Sequence, residues 1–254
     1  MKIKDQSIIV SGGGSGMGEA VCHHLANQGA KVVVLDVNGD NATRVAKAVQ
    51  GQALVCDVTS DALLTEAFNS LPQSFKQTLK VAINCAGIAP AKRMVGKNGP
   101  VELAWFEQVI KVNLIGTFNV MRLAANIMIE HGQQNQATQD NGVLINTASI
   151  AAFEGQMGQS AYSASKGAVV AMALPLAREL AQFGIRVMTI APGLIKTPML
   201  EGMPDPVTQA LIDQTVYPKR FGEPSEFADL VSHIIENPML NGSVIRLDGA
   251  MRMA

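Results

Sequence analysis

The sequence predicts an α/β protein, one domain in which a seven-stranded parallel sheet carries helices on both faces. Three observations predict it. Short runs of Val, Ile and Leu alternate with longer helical stretches along the chain of 254 residues, the order that parallel strands and crossover helices produce. The runs are almost continuously apolar, as strands buried on both faces are. No Pro/Ser-rich linker and no internal repeat divides the chain, so residues 1–254 read as a single domain.

Taken in order, the strands are expected at Ser7–Val10, Lys31–Asp36, Ala53–Cys56, Leu79–Asn84, Val143–Asn146, Arg186–Ala191 and Val244–Leu247. Helices are expected near Gly18–Asn27, Asn41–Val49, Asp61–Ser70, Leu103–Glu130, Ala161–Phe183 and Ser225–Glu236. Two stretches break the alternation. The polar tract 131–140 reads as an exposed connection, and the segment 197–218 holds Pro198, Pro204, Pro206 and Pro218, too many for regular structure. Within it Val207–Val216 is still long enough for a short helix, and apolar Leu194, Met199, Leu200, Met203, Leu211 and Val216 suit a lid over a substrate.

Composition narrows the function. A formal net charge of −1 leaves no overall electrostatic footprint for nucleic acid or an anionic membrane, and neither is expected as a partner. Three cysteines without a CxxC pair, and four histidines without ligand spacing, argue against a disulfide framework and against a metal site. The first residues lack the apolar stretch and cleavage site of a secretory signal, no uninterrupted apolar run approaches the ~20 residues of a membrane span, and a cytoplasmic location is expected.

The first strand runs into Ser11-Gly12-Gly13-Gly14-Ser15-Gly16-Met17-Gly18 and then a helix. Glycines there permit a tight turn and let the backbone approach a pyrophosphate, whose charge the helix N-terminus favours. Ser11, Gly12, Ser15, Gly16, Met17 and Gly18 are therefore read as cofactor contacts of a Rossmann-type domain. The second strand ends in Asp36, 18 residues beyond Gly18, where a carboxylate accepts from adenosine ribose hydroxyls and repels the 2′-phosphate of NADP. No Lys or Arg lies between Asp5 and Lys31, and Val37-Asn38-Gly39 follow Asp36, so a cationic clamp is missing from the usual places and NAD is the expected cofactor. Asp57 and Val58 after the third strand, and Asn84, Ala86 and Gly87 after the fourth, stand at carboxyl ends of strands, where ligands of such sheets bind.

The chemistry is expected after the fifth strand. Ser149 precedes Tyr162 by 13 residues, and Lys166 follows Tyr162 by four, which puts phenol and amine on one face of a helix. A nearby ammonium and a cationic nicotinamide would favour the phenolate, making Tyr162 a general acid/base, while Ser149 would hold the substrate oxygen. An isolated YxxxK is more often a core tyrosine beside a solvated lysine; here the glycine turn, Asp36, Ser149 and the Tyr162/Lys166 pair coincide. Gln156 and Gln159, between Ser149 and Tyr162, are further substrate contacts, and Lys92, Arg93 and Lys97 stand where they would attract the phosphates of coenzyme A.

With these residues in place, the chain resembles the short-chain dehydrogenase/reductase family over essentially its whole length. Gly12-x-x-x-Gly16-x-Gly18, with Ser11 where threonine is commoner, resembles the family's cofactor turn, and Asn84-Cys85-Ala86-Gly87 its strand-end motif with Cys85 as a variation. The resemblance implies that Asn113 is a fourth catalytic position organising a water beside Lys166, that Lys166 binds the nicotinamide ribose, and that Pro192, Gly193 and Thr197 line the nicotinamide site. It also implies a homotetramer using the Tyr162–Phe183 helix and the C-terminal segment. Longer runs, Ile145–Ser149 with Ala152–Gln156, Met188–Leu194, and Glu236–Pro238 with Val244–Ala250, resemble a branch whose members oxidise (S)-3-hydroxyacyl-CoA to 3-oxoacyl-CoA with NAD, some also accepting steroids or simple alcohols. The expected substrate is thus an acyl-CoA. The residues leave three alternatives open: a 3-oxoacyl-carrier-protein reductase, a steroid or simple-alcohol dehydrogenase, and a noncatalytic dinucleotide sensor.

Overall fold

The computed structural model describes residues 1–132, 140–198 and 205–253. Seven strands, β1 (Ser7–Ser11), β2 (Lys31–Asp36), β3 (Gln52–Val55), β4 (Leu79–Asn84), β5 (Gly142–Thr147), β6 (Ile185–Pro192) and β7 (Val244–Leu247), form one parallel sheet in the order β3-β2-β1-β4-β5-β6-β7. The chain winds outward from β1 in one direction, then returns to β4 and winds in the other. That reversal opens a crevice above the carboxyl ends of β1 and β4, the place where a ligand binds in such sheets.

The two-residue period of a strand divides its side chains between two cores. From β1, Ile9 enters a cluster with Leu64, Phe68, Val120, Met128 and Leu180, while Ile8 and Val10 enter another with Val21, Leu25, Val45, Phe227 and Ile234. The first cluster is covered by α3 (Asp61–Asn69), α4 (Leu103–His131) and α5 (Ser160–Leu180). The second is covered by α1 (Gly16–Asn27), α2 (Gly39–Ala48) and α7 (Pro224–Glu236), α6 being the short helix Asp205–Asp213. The fully buried strands explain why their sequences read as unbroken apolar runs.

Boundaries depart from expectation where local chemistry decides them. α7 begins at Pro224, with the proline in its first turn and Glu223 and Glu226 closing a capping box. α5 carries Pro175 inside it and continues as one 3₁₀ turn to Phe183. α4 is continuous but opens into a π-helical stretch at Lys111–Gly116, a distortion that often marks functional sites. It is long and apolar enough to cross a bilayer by length and composition, yet half or more of its apolar window is buried against the rest of the fold. A two-residue hairpin, Val95–Gly96 with Gly99–Pro100, and a one-turn helix, Gln73–Lys76, are too short for any periodicity to announce. Of the expected connection 131–140, residues 133–139 lie outside the described residues, as do Met199, Leu200 and Met203 of the expected lid. The short helix expected at Val207–Val216 lies at Asp205–Asp213.

Candidate active site

The glycine turn between β1 and α1 is built by close backbone approach. A Cβ on Gly18 would stand 2.1 Å from the Gly12 carbonyl oxygen, and one on Gly12, at φ +66°, would stand 2.6 Å from the Ala86 nitrogen. These two positions admit only glycine, and together they press the turn against the end of β4. Ser15 caps α1 without a side-chain hydrogen bond to the helix and is exposed. The first N–H groups of a helix lack partners within the helix, and such a helix start is suited to phosphate. Gly16 approaches Thr197 from across the crevice, within 3.3 Å of where its Cβ would be. Met17 is partly buried and packs on the second core.

Asp36 ends β2 as a fixed acceptor. Its Oδ2 receives the Gly14 N–H and its Oδ1 the Asn38 N–H, each at 2.9 Å. The carboxylate is therefore held beside the turn with lone pairs remaining for further donors. A cation from outside those usual places does stand beside the turn. Arg44 of α2 donates to the Gly14 carbonyl at 3.0 Å and is paired with Glu19 of α1. Nothing in the spacing of Glu19 and Arg44 announces this, because the packing of α2 on α1 brings them together.

Asp57 is exposed after β3 and bonds the Thr59 N–H. Val58 is buried in the first core, against Gly116, and its carbonyl accepts from Asn119. Ser11 and Asn84 likewise turn inward. They belong to a polar ladder crossing four adjacent strands, in which Ser11 donates to Asn84 at 3.3 Å and Asn84 to Asn146 at 2.9 Å, with Thr189 next in register. All four are buried, so these side chains support the crevice from beneath and only their backbone reaches toward it. Asn146 and Thr189 were not anticipated; buried polar residues at matching register positions are a signal that appears only once the register is known.

On the other side of the crevice, Lys166 is buried and donates to the Thr147 carbonyl at 2.7 Å. Its Nζ lies 5.9 Å from the centre of the Tyr162 ring, one helical turn away as the spacing predicted. Gly87 lets the group close up: a Cβ there would stand 3.2 Å from Asn113 Oδ1 and 3.5 Å from Lys166 Nζ. Asn113, in the π-helical stretch, accepts from the Ile88 N–H at 2.8 Å and donates to the Ile88 carbonyl and to Ser165. Both its amide protons are thus taken, and an Oδ1 lone pair is what its side chain has left for a water.

Burial pushes the Lys166 amine down to about 8, since a charge deep in the fold loses its hydration. The Tyr162 phenol is pushed up by the same cause, opposed in part by the Ser149 hydroxyl beside it. The Lys166 amine is directed at the Thr147 carbonyl, and the lowering of the phenol expected from it belongs to the state with a cationic nicotinamide bound. Burial also pushes the Cys85 thiol up to about 11, so it stays protonated against Thr147.

Ser149 follows β5 and accepts from the Ala151 N–H at 3.1 Å. Gln156 and Gln159 bond each other, the Gln156 N–H to Gln159 Oε1 at 2.9 Å, in the loop leading to α5. Lys92 pairs its N–H with the Gly158 carbonyl, and Lys92, Arg93 and Lys97 are exposed on the insertion beside this loop. Gly193, after buried Pro192, is pressed against Asp248, where a Cβ would stand 2.9 Å from the Asp248 Cα.

The family model for short chain dehydrogenases matches residues 6–207. The chain is 49% identical to the 3-hydroxyacyl-CoA dehydrogenase type-2 of Rattus norvegicus and 50% identical to that of Bos taurus, covering 99% of this chain and 97% of each relative. Among solved structures, a 3-hydroxyacyl-CoA dehydrogenase type-2 from Mycobacterium avium superposes with a TM-score of 0.91 at 36% identity, over 98% of this chain and 96% of that one. A 7α-hydroxysteroid dehydrogenase complexed with NADH and 7-oxo glycochenodeoxycholic acid superposes at 0.87 with 25% identity, over 100% of this chain and 97% of that one. By these matches the chain belongs to the short chain dehydrogenase family, a family of oxidoreductases.

Proposed function

We propose that the chain oxidises (S)-3-hydroxyacyl-CoA to 3-oxoacyl-CoA with NAD. The observation that carries the chemistry is the convergence of Ser149, Tyr162 and Lys166 with Gly87 and Asn113 beside the glycine turn. The substrate class is supported by the likeness, near half identity over the whole chain, to relatives named 3-hydroxyacyl-CoA dehydrogenase type-2.

The residues present fit a nicotinamide dinucleotide: backbone that glycine alone allows at Gly12 and Gly18, an uncapped helix start at Ser15, and a carboxylate fixed at Asp36. The bound dinucleotide supplies the hydride acceptor. Asp36 would receive the adenosine ribose hydroxyls and repel a 2′-phosphate, which favours NAD over NADP. Thr197, Pro192 and Gly193 would border the nicotinamide. Ser149 would donate to the substrate oxygen and hold it against Tyr162, whose phenolate, favoured by the Lys166 ammonium and a bound cationic nicotinamide, would take the hydroxyl proton. Lys166 has donors beyond the one given to Thr147, and these suit ribose hydroxyls and the phenol oxygen. The exposed cations Lys92, Arg93 and Lys97 would meet the CoA phosphates at the mouth.

A homotetramer is supported by an apolar groove between α4 and α5, lined by Leu114, Ile115, Phe118, Met172, Pro175 and Leu176. Ile115 is 51% and Phe118 44% exposed in the single chain, a patch that a second copy would cover. Light scattering on the eluted protein tests it. Cys22, Cys56 and Cys85 are free thiols, which fits a reducing compartment such as the cytoplasm; fractionation of the source cells tests that.

The decisive experiment is a substrate panel with NAD and NADP, spanning short and long 3-hydroxyacyl-CoAs, the matching carrier-protein thioesters, steroids and small alcohols. The proposal expects the highest kcat/KM with an (S)-3-hydroxyacyl-CoA and NAD. Preference for carrier-protein substrates with NADPH would replace it by the reductase reading, and dinucleotide binding without any turnover by the sensor reading.

A further inference from the structure

Arg44 and Glu19 form a bidentate pair between α2 and α1, Nη1 to Oε1 at 2.6 Å and Nη2 to Oε2 at 2.9 Å. The same Nη2 donates to the Gly14 carbonyl at 3.0 Å, while the Gly14 N–H donates to Asp36 at 2.9 Å. One peptide residue of the glycine turn therefore carries a guanidinium on its carbonyl and the ribose-facing carboxylate on its amide. Arg44 keeps 54% of its side chain exposed, so the pair stands at the surface of the crevice, within reach of a ligand.

An arginine near the adenosine ribose is the group that accommodates the 2′-phosphate of NADP. Here its fork is filled and its charge balanced. The hydrogen bond and charge of Arg44 hold the Glu19 carboxyl below the ordinary range, so it stays ionised near neutral pH. His23, one turn further along α1, is the other group beside Glu19, at 3.8 Å.

We propose that Glu19 is a specificity-determining residue, which holds Arg44 in an ion pair and so denies a 2′-phosphate the guanidinium beside its site. Discrimination against NADP then has two parts, repulsion by Asp36 and sequestration of Arg44 by Glu19. The inference rests on the NAD preference proposed above. Glu19→Gln separates the two parts, because glutamine keeps the shape of the side chain and removes its charge.

The probes are adenosine 2′,5′-bisphosphate and 5′-AMP, with Kd measured by calorimetry on the full chain. The two Kd values are compared between the unaltered protein, Glu19→Gln, and Glu19→Gln combined with Arg44→Met. Glu19→Gln is expected to tighten the bisphosphate relative to AMP by about threefold to fivefold, the scale of an exposed ion pair. High salt should shrink the gain, and adding Arg44→Met should abolish it. The ratio of kcat/KM for NADP to that for NAD should move the same way. An unchanged Kd ratio in a Glu19→Gln protein with an unaltered melting temperature overturns the inference. A gain that survives in the double variant also overturns it, since Glu19 would then act by direct repulsion. Failure of the underlying reading looks different: the unaltered protein itself would favour NADP.

Discussion

The Lys166 ammonium donates to the backbone carbonyl of Thr147 at 2.7 Å, joining the second turn of α5 to the last residue of β5. The helix that presents Tyr162 is thereby fastened to the strand that leads into Ser149, so phenol, hydroxyl and amine are positioned as one unit rather than by three separate loops. The contact also fixes an amine in a place where burial opposes its charge.

That opposition has a pH signature. The amine is pushed from 10.5 to about 8 in the folded chain, so between these values the unfolded chain binds the extra proton. Folding is then penalised below about pH 8 and the penalty is relieved as pH rises toward 10.5, on the order of 3 kcal/mol in all. Denaturant unfolding of the protein and of Lys166→Met at several pH values should therefore show a stability difference that shifts in favour of the unaltered protein across this window. A difference independent of pH would mean the amine titrates normally.

Replacing Tyr162 by Phe keeps the ring and removes the proton-transferring group. Turnover should fall by roughly 10²–10⁴-fold or more, while NAD binding, read by fluorescence titration, remains largely intact. Turnover retained in purified Tyr162→Phe would remove the phenol from the mechanism.

Asp36→Ala deletes an acceptor from two backbone N–H groups and, in the proposed complex, from the ribose. Hydrogen bonds to a charged group contribute about 1.5–3 kcal/mol, so kcat/KM with NAD should drop about 10- to 100-fold and the preference for NAD over NADP should weaken. Steady-state kinetics with both dinucleotides measure it; an unchanged ratio would contradict the ribose assignment.

Gly18→Ala forces a Cβ to 2.1 Å from the Gly12 carbonyl oxygen, which is backbone and cannot swing aside. The turn must open. Overpacking of this kind costs about 1–3 kcal/mol, and a lowered melting temperature with a weakened dinucleotide Kd is the expected pair of results. A melting temperature and Kd equal to those of the unaltered protein would show that the turn can absorb the methyl.

The polypeptide's own order determined the layered sheet, the strand ends and most of the crevice. Alternating apolar runs fix which segments are buried strands, the glycines of the turn mark where a side chain has no room, and the Tyr162 to Lys166 spacing depends only on helical pitch. These signals are local, so they are written along the chain. Tertiary packing decided the rest. It buried the side chains of Ser11, Asn84 and Val58, aligned Asn146 and Thr189 with Ser11 and Asn84 across four strands, gave Lys166 its partner at Thr147, and set Arg44 on Glu19 beside Asp36. Each of these joins residues from different elements, and strand register and helix packing, which no single segment encodes, determine which side chains meet.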